Sequence, residues 1–417
     1  MKQINIIGNQ KLSGTIKISG AKNSAVALIP ASILAEEIVK IDNIPNISDI
    51  DALNEILEFL GAKVSLENGM ITIDPRNIKN KDIPEKVSSK LRASYYFMSA
   101  LLGKYKHVEM YFPGGCKIGA RPIDQTLKGF KALGADVIEE DNKFIISASK
   151  LTGNHVYLDM PSVGATINTM LVAVKAEGIT IIENAAKEPE IVNVATFLNN
   201  MGAKITGAGT SKIKIKGVSK LTGCFSEVIP DRIETGTYMI AGALLGENLK
   251  VENIIPDHVE ALTLKLKEMG VKLEMGSDYV ILNSSDNLKA ISLKTQGYPG
   301  FPTDLQQPIT TLLTQCNGTS KLEETIYENR FQNVPYLKEM GADIEICGKR
   351  LKIKGKSKLS GNVVVATDLR AGACLVLAGL IAEGKTTIKN IEHVLRGYEN
   401  IIEKLTNVGA KISIEEI

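Results

Sequence analysis

The chain has 417 residues, of which 44% are hydrophobic and 23% charged, and its formal net charge is +2. This length predicts about two domains, and the composition is typical of a globular protein with a sizeable core. Basic and acidic residues are interspersed, so no basic surface for nucleic acid is predicted.

Signals for export, membrane insertion and metal binding are weak throughout the sequence. The start, MKQINIIGNQ, lacks the apolar stretch of a secretory signal, and the longest mostly apolar run, residues 25–35, is too short to span a bilayer. Five cysteines without C-x-x-C spacing and four histidines favour neither disulfides nor a metal centre. We therefore expect a cytoplasmic protein with free thiols, no membrane partner, no metal and no cofactor.

In chain order, one pentapeptide recurs at intervals of 68 to 73 residues, which is the signature of an internal repeat. Its six copies are LGAKV (60–64), LGADV (133–137), MGAKI (201–205), MGVKL (269–273), MGADI (340–344) and VGAKI (408–412). They fill the whole chain, so six units in two domains predict three units per domain.

Each unit has the same predicted elements. An amphipathic helix precedes the repeat glycine, which is the expected helix C-cap, and a strand follows it. In the first unit Ser48 and Asp51 resemble a capping box at the start of that helix. A second helix, as in TINTMLVAVKA or ACLVLAGLIA, is apolar almost all round and is expected to be buried. The fold class is therefore α/β, with buried helices enclosed by sheets.

Cations stand where these helices are predicted to begin. Thirteen residues before the repeat glycine, the second and sixth units carry Arg121 and Arg396. The buried helices begin near Lys22, Arg92, Gly164, Arg232, Asp304 and Arg370. A helix N-terminus already favours anions, so added cations indicate that anions are bound there. The alternative, ion pairing with neighbouring carboxylates, remains open for Arg232 beside Asp231 and Glu234.

A thiol lies in the glycine-rich segment PGGCKIGARP, residues 113–122. Cys116 is followed by Lys117 and, five positions on, by Arg121. Reactive cysteines occupy exposed electropositive surroundings of this kind, whereas structural cysteines are usually buried. No P-loop or G-x-G-x-x-G fingerprint is present, which disfavours a nucleotide bound in those ways.

The motifs together resemble the UDP-N-acetylglucosamine 1-carboxyvinyltransferases within the enolpyruvyl transferase family. They extend over the whole chain: SGAKNSA (19–25), PGGCKIGARPID (113–124), PSVGAT (161–166), ENAAKEPEI (183–191), PDRIETGT (230–237), FPTDLQQ (301–307), ENRF (328–331), ATDLRAG (366–372) and RGYE (396–399). The resemblance implies two inside-out α/β barrel domains of three repeats each. The first would span 22–229 with the cysteine loop, and the second 1–21 and 230–417, with a cleft between them.

The implied reaction moves the enolpyruvyl group of phosphoenolpyruvate to the 3′-hydroxyl of UDP-N-acetylglucosamine and releases phosphate, the first committed step of peptidoglycan synthesis. By resemblance Cys116 is the general acid and the fosfomycin target, Asp304 is the base, and Lys22 and Arg396 are also catalytic residues. The implied phosphoenolpyruvate contacts are Cys116, Lys22, Asn23, Arg121 and Arg396. The implied UDP-sugar contacts are Arg92, Arg121, Pro122, Ile123, Asp124, Gln125, Ser162, Val163, Gly164, Asp304, Ile326 and Glu328. Arg232, Asp368 and Arg370 would add charge support.

Several alternatives remain. Asp231, Asp304 and Asp368 occupy similar positions, so each is also a candidate N-cap, and Asp368 with Arg370 could share the proton and charge work. Met160 stands where some members of the family carry lysine, which puts one contact to the diphosphate in doubt. Two other functions compete: the shikimate-pathway enolpyruvyl transferase, which lacks a comparable P-G-G-C loop, and a non-enzymatic α/β repeat scaffold.

Overall fold

The structure is a computed structural model that describes residues 2–89, 92–112, 114 and 122–416. The strands are β1 (Lys2–Ile7), β2 (Leu12–Lys17), β3 (Val39–Asp42), β4 (Lys63–Glu67), β5 (Met70–Asp74), β6 (His107–Tyr111), β7 (Asp136–Glu140), β8 (Lys143–Ser147), β9 (His155–Tyr157), β10 (Ile179–Glu183), β11 (Lys204–Thr206), β12 (Lys212–Lys216), β13 (Phe225–Glu227), β14 (Gly246–Glu252), β15 (Lys272–Met275), β16 (Tyr279–Asn283), β17 (Ser292–Lys294), β18 (Gly318–Glu323), β19 (Asp343–Cys347), β20 (Arg350–Gly355), β21 (Val363–Val365), β22 (Lys385–Lys389) and β23 (Lys411–Glu416).

The helices are α1 (Lys22–Ala31), α2 (Ser48–Leu60), α3 (Glu85–Ser88), α4 (Tyr95–Tyr105), α5 (Asp124–Ala132), α6 (Val163–Ala173), α7 (Pro189–Asn200), α8 (Arg232–Leu245), α9 (Glu260–Met269), α10 (Gln306–Leu313), α11 (Val334–Glu339), α12 (Leu369–Ile381), α13 (Glu392–Leu395) and α14 (Ile401–Asn407). Short 3-10 turns cover Ser32–Leu34, Arg92–Ser94, Pro256–Val259 and Thr303–Leu305. Within the described ranges, no helix has the length and apolar character needed to cross a bilayer.

The described strands form six sheets, five of four strands and one, β6-β8-β7, of three. In the third and fifth sheets a first strand leads through the buried helix to a second strand parallel to it, and the amphipathic helix then leads into a hairpin that completes the sheet. In the other three four-stranded sheets one strand, β13, β2 or β1, comes from elsewhere in the chain. The third sheet follows this plan with the order β9-β10-β12-β11, where β9 and β10 are parallel and β12 is antiparallel to β10. A parallel crossover needs a long connection, and in the third sheet the buried helix α6 provides it.

Contacts divide the described residues into two compact units, with boundaries between Ser19 and Gly20 and between Ile229 and Pro230. The C-terminal unit comprises 2–19 and 230–416, and the N-terminal unit comprises the described residues of 20–229. Two strands show that the chain passes from one unit to the other at these boundaries. β2 precedes α1 in sequence yet pairs with β14, and β13 precedes α8 in sequence yet pairs with β3. Each unit thus contains three sheets, as the repeat count predicted.

The buried helices lie inside each unit. In the C-terminal unit α8, α10 and α12 contact one another, and in the N-terminal unit α4 contacts both α1 and α6. Eleven consecutive residues of α12, 370–380, are buried. Each unit has its own hydrophobic core. The predicted α/β fold, with buried helices and three repeats per domain, is confirmed.

Two local predictions about helix starts are corrected. The capping box is wrong, because α2 begins at Ser48 itself and Ile47 occupies the N-cap with no side-chain cap. The position thirteen residues before the repeat glycine begins a helix at Ser48 and Pro189, but Arg396 follows α13 and precedes α14 by several residues. In the sixth repeat the short helix α13 precedes this position, and the amphipathic helix α14 begins only at Ile401.

Gly61 and Gly202 occupy the same position in two repeats of the N-terminal unit, so they allow a matched test of the repeat turn. Both have positive φ, +108° and +101°, which favours glycine over any L-residue. A Cβ at Gly61 would lie 2.7 Å from the carbonyl oxygen of Asn77, whereas one at Gly202 would meet nothing within 4 Å. We predict that Gly202→Ala costs about 1 kcal/mol of stability and that Gly61→Ala costs about 1–3 kcal/mol more.

Thermal unfolding followed by circular dichroism measures the difference. The melting temperature should fall further for Gly61→Ala, by roughly 2–4 °C for each additional kcal/mol. Equal losses for the two variants would show that the approach to Asn77 does not constrain this turn.

Candidate active site

Lys22 is the first residue of α1, as the helix-start argument required. Its Nζ lies 2.8 Å from Oδ2 of Asp49 in the first turn of α2, and the two side chains are only 15% and 7% exposed. Asn23 follows it, partly buried. The cation at this helix start is therefore held by a buried carboxylate, which fixes its direction and offsets part of its charge.

Arg92 and Gly164, both predicted UDP-sugar contacts, are brought together by Tyr95. The guanidinium of Arg92 lies 5.6 Å from the centre of the Tyr95 ring, within range of a cation–π contact. A Cβ on Gly164 would lie 1.9 Å from the Tyr95 hydroxyl, so only glycine admits the tyrosine here. Ser162 caps α6, its Oγ accepting a hydrogen bond from the amide of Ala165 at 3.3 Å. Val163 is the first residue of that helix.

The segment 122–125 is bonded to the segment that precedes α6. Gln125 donates to Oδ2 of Asp124 at 2.8 Å and to Oδ2 of Asp159 at 3.1 Å, and it accepts from the Asp159 amide at 2.9 Å. Pro122 and Ile123 lead into α5, whose first residue is Asp124. Met160, the departure noted in the sequence, is 62% exposed. Two separate groups of predicted UDP-sugar residues are thus adjacent.

In the C-terminal unit Asp304 is held between two arginines. It lies in the 3-10 turn before α10, where its Oδ1 accepts from Nη2 of Arg330 at 2.7 Å and its Oδ2 accepts from Nη2 of Arg370 at 2.9 Å. The arginine side chains are 3% and 6% exposed, whereas 27% of the Asp304 side chain remains exposed. The carboxylate is therefore bound from the protein side and still accessible.

These contacts fix the charge of the carboxylate. Burial alone would raise the pKa of Asp304, but the charges of Arg370 and Arg330 outweigh it and hold that pKa well below its usual range. Burial would lower the pKa of Arg370, but the charge of Asp304 together with smaller contributions from Tyr398 and Asp231 outweighs burial and raises that pKa. Asp304 is consequently an ionised hydrogen-bond acceptor at neutral pH.

The three aspartates left open by the sequence are now distinguished. Asp231 caps α8 by accepting from two backbone amides, and Asp368 caps α12 in the same way at 2.8 and 3.0 Å. The other oxygen of Asp368 accepts from the side chain of Gln307 at 3.2 Å. Asp304 makes no cap hydrogen bond and instead binds two guanidinium groups. Among the three, Asp304 therefore differs in the way expected of a functional carboxylate.

Arg232 begins α8, and its guanidinium lies 5.7 Å from the ring of Tyr298. Each of the two carboxylates that were considered as its partners makes a further contact. Asp231 is the helix cap, and Glu234 binds Lys404 at 2.6 Å. Arg232 also makes a small contribution to the positive field that lowers the pKa of Asp304, and its role in charge support stays a prediction.

The remaining predicted residues are more dispersed. Ile326 is 42% exposed, Glu328 is also exposed, and both lie in the segment after β18. Arg396 is partly buried at the end of α13. Cys116 and Arg121 lie outside the described residues, so their roles stay predictions.

Three contacting residues carried no assigned role in the sequence: Tyr95, Arg330 and Tyr398. Arg330 belongs to the ENRF motif but not to a helix start, since α11 begins only at Val334. Tyr398 belongs to the RGYE motif, and its hydroxyl accepts from Nη1 of Arg370 at 3.1 Å. The quoted motifs contained Arg330 and Tyr398, but a comparison limited to helix starts could not assign a role to either residue.

Comparisons with known proteins show the family to which the chain belongs. The sequence model of the EPSP synthase (3-phosphoshikimate 1-carboxyvinyltransferase) family matches residues 6–405, and the chain belongs to that family. UDP-N-acetylglucosamine 1-carboxyvinyltransferase 2 of Geobacillus kaustophilus (strain HTA426) is 54% identical, over 100% of this chain and 97% of the relative. The protein of the same name from Bacillus subtilis (strain 168) is 53% identical, over 99% and 96%.

Solved structures show the same fold. The crystal structure of the enolpyruvyl transferase NikO from Streptomyces tendae matches with a TM-score of 0.90 and 26% identity over 99% of each chain. EPSP synthase from Acinetobacter baumannii matches with a TM-score of 0.76 and 21% identity over 100% of each chain. The second likeness is evidence for the fold alone.

Proposed function

We propose that this chain is a transferase that moves the enolpyruvyl group of phosphoenolpyruvate to the 3′-hydroxyl of UDP-N-acetylglucosamine and releases phosphate. The full-length identity of 54% to a relative named for that reaction carries the proposal. The substrates are small molecules, and the product would enter peptidoglycan synthesis. A cytoplasmic location, predicted from the sequence, remains part of the proposal.

Addition followed by elimination accounts for the groups present. The Cys116 thiol gives its proton to the vinyl CH₂ of phosphoenolpyruvate, and the adjacent carbon becomes oxocarbenium-like. The 3′-oxygen of the sugar bonds to that carbon, and its proton passes to Asp304. The Cys116 thiolate takes a proton back from the new methyl group, which restores the double bond while the carbon–oxygen bond to phosphate breaks, and Asp304 gives its proton to the solvent. No electrons are exchanged with an outside reagent.

The low pKa of Asp304 is compatible with a role as base. A hydroxyl oxygen that bonds to a cationic carbon becomes far more acidic than a free alcohol, so a weak base is sufficient once bonding has begun. A carboxylate held ionised is also available in every turnover and favours the positive charge that develops beside it. We therefore assign Asp304 to late removal of the 3′-hydroxyl proton.

The cations are assigned to the anionic parts of the substrates. Lys22, Arg121 and Arg396, with Asn23, would bind the phosphate and carboxylate of phosphoenolpyruvate, since the fork of arginine suits both groups. Arg92, residues 122–125, residues 162–164, Ile326 and Glu328 would bind the UDP-sugar. The amides at the start of α6 suit a diphosphate, because a helix N-terminus attracts anions. Arg232 and Arg370 would add positive charge.

Phosphate release tests this assignment directly. Purified protein mixed with phosphoenolpyruvate and UDP-N-acetylglucosamine should release one phosphate for each enolpyruvyl group transferred, as measured by a colorimetric phosphate assay and by mass spectrometry of the product. Shikimate 3-phosphate in place of the UDP-sugar should give background release, because the chain resembles the UDP-sugar enzymes in its motifs.

Cys116→Ser is the control within the same assay, since a serine hydroxyl is a far weaker acid than a thiol. It should abolish turnover at neutral pH while UDP-sugar binding is retained. Phosphate release with shikimate 3-phosphate but not with UDP-N-acetylglucosamine would instead favour the shikimate-pathway reaction. No phosphate release with either acceptor would favour the repeat scaffold.

Cys116 should also be the one thiol alkylated by the epoxide fosfomycin. Burial raises the pKa of Cys224, Cys316 and Cys374 to about 11, and a hydrogen bond with Glu345 raises that of Cys347. Those four therefore hold little thiolate near neutral pH, whereas Cys116 has Lys117 and Arg121 nearby in sequence. Peptide mapping by mass spectrometry should place the adduct on Cys116, and Cys116→Ser should remain unlabelled. An adduct on another cysteine would contradict the assigned role of Cys116.

A further inference from the structure

Asp304 is held from two sides, and two of the residues involved, Arg330 and Tyr398, have no role in the scheme above. On one side Arg330 donates to its Oδ1 directly. On the other, Arg370 donates to its Oδ2, and Arg370 is itself bound by Tyr398. We propose that Arg330 and Tyr398 are positioning residues that clamp the Asp304 carboxylate toward the 3′-hydroxyl of the acceptor, Arg330 directly and Tyr398 through Arg370. This inference rests on the proposed function.

The direction of the hydrogen bonds on the Tyr398 side is fixed. Thr237 donates its hydroxyl proton to the carbonyl of Ile233 at 2.8 Å, so at 2.9 Å it can only accept from the Tyr398 hydroxyl. The Tyr398 oxygen is then free to accept from Nη1 of Arg370 at 3.1 Å. The hydrogen bonds therefore run in one direction from Arg370 through Tyr398 to Thr237, and in such a series each bond strengthens the others.

Packing holds the same group in place. Tyr398 is 1% exposed, and the guanidinium of Arg370 lies 5.5 Å from its ring centre. Arg370 therefore has a hydroxyl and an aromatic face on one side and Asp304 on the other. With its guanidinium so fixed, Arg370 presents Nη2 to the carboxylate in one orientation.

Arg330 is buried at a cost that a purely structural role does not explain. Its side chain is 3% exposed, and among the described residues its Nε has no hydrogen-bond partner. Burying a charged group with an unpaired donor is unfavourable, and buried ion pairs are weak stabilising devices. Its backbone is anchored by Gln307, which donates to the Arg330 carbonyl at 3.0 Å. The burial of Arg330 is therefore unfavourable for stability, but it fixes the position of the Asp304 carboxylate.

A clamp of this kind acts on the chemical step more than on substrate affinity. A small misplacement of a reacting group can reduce a rate by as much as about a hundredfold. Loss of one hydrogen bond to a charged group corresponds to about a tenfold change. Clamp variants should therefore lower kcat while the KM values for both substrates change little.

Tyr398→Phe and Tyr238→Phe form a matched pair for the test. Both tyrosines are buried in the same unit, but among the described residues the Tyr238 hydroxyl has no hydrogen-bond partner. We expect Tyr398→Phe to lower kcat about tenfold, with KM values within about twofold of the wild type, and Tyr238→Phe to match the wild type. Arg330→Met should lower kcat by up to about a hundredfold, and Arg330→Lys should recover part of the loss by restoring a donor.

The outcomes separate this inference from the proposed function. An inactive wild type would refute the function itself. An active wild type with normal kcat in folded Tyr398→Phe and Arg330→Lys would refute the clamp alone, as would a loss confined to KM or equal losses in the two tyrosine variants. If Arg330→Met does not fold, Arg330→Lys and Tyr398→Phe decide the matter, with thermal unfolding as the check that each is native.

Discussion

An ionised carboxylate between two buried guanidinium groups is the interaction on which the candidate site residues of the C-terminal unit depend. Asp304 contacts Arg330 and Arg370 at 2.7 and 2.9 Å and still has 27% of its side chain exposed. The arginines are almost wholly buried, so their charge is weakly screened and acts mainly on this group. This explains why a carboxylate in a partly buried position remains charged. The same contacts keep the Asp304 carboxylate unprotonated before the reaction, so that it is able to accept a proton late in the reaction.

The repeat explains why cations recur at equivalent positions of the chain. Each repeat contains a buried helix, and the first residues of that helix lie next to the connection that leads into it. Lys22, Arg232 and Arg370 lie within the first two residues of α1, α8 and α12. A cation there is unfavourable for the helix itself, because the helix N-terminus is already positive. The unfavourable placement is offset by local carboxylates, as with Asp49 and Asp304, and becomes useful when a multiply charged anion binds.

Much of the architecture could be predicted from the sequence, because repetition is a property of the pattern alone. Six glycine turns gave the unit length, and apolar helices such as α6 and α12 gave the buried layer. The capping box at Ser48 failed because a cap depends on backbone geometry that residue identity does not determine. The start of α14 was also misplaced, since the short helix α13 precedes it.

The site was predictable only in part, for a related reason. Residues at helix starts could be compared between units, so Lys22, Arg92 and Arg370 were found. Arg330 acts through a contact with Asp304 in its own repeat, and Tyr95 through a contact with Gly164 in the next repeat; sequence spacing shows neither contact. The sequence also left three aspartates equivalent. Capping geometry separates them, since Asp368 binds backbone amides while Asp304 binds side chains.

The most direct measurement is a titration of the Asp304 carboxyl by ¹³C NMR, with the resonance assigned by its loss in Asp304→Asn. An ordinary aspartate titrates near pH 3.9. If two guanidinium groups hold Asp304 ionised, its carboxyl shift should stay at the ionised value at every pH at which the protein remains folded. A resonance that titrates near pH 4 or above would show that the arginines do not control this group and would contradict the account.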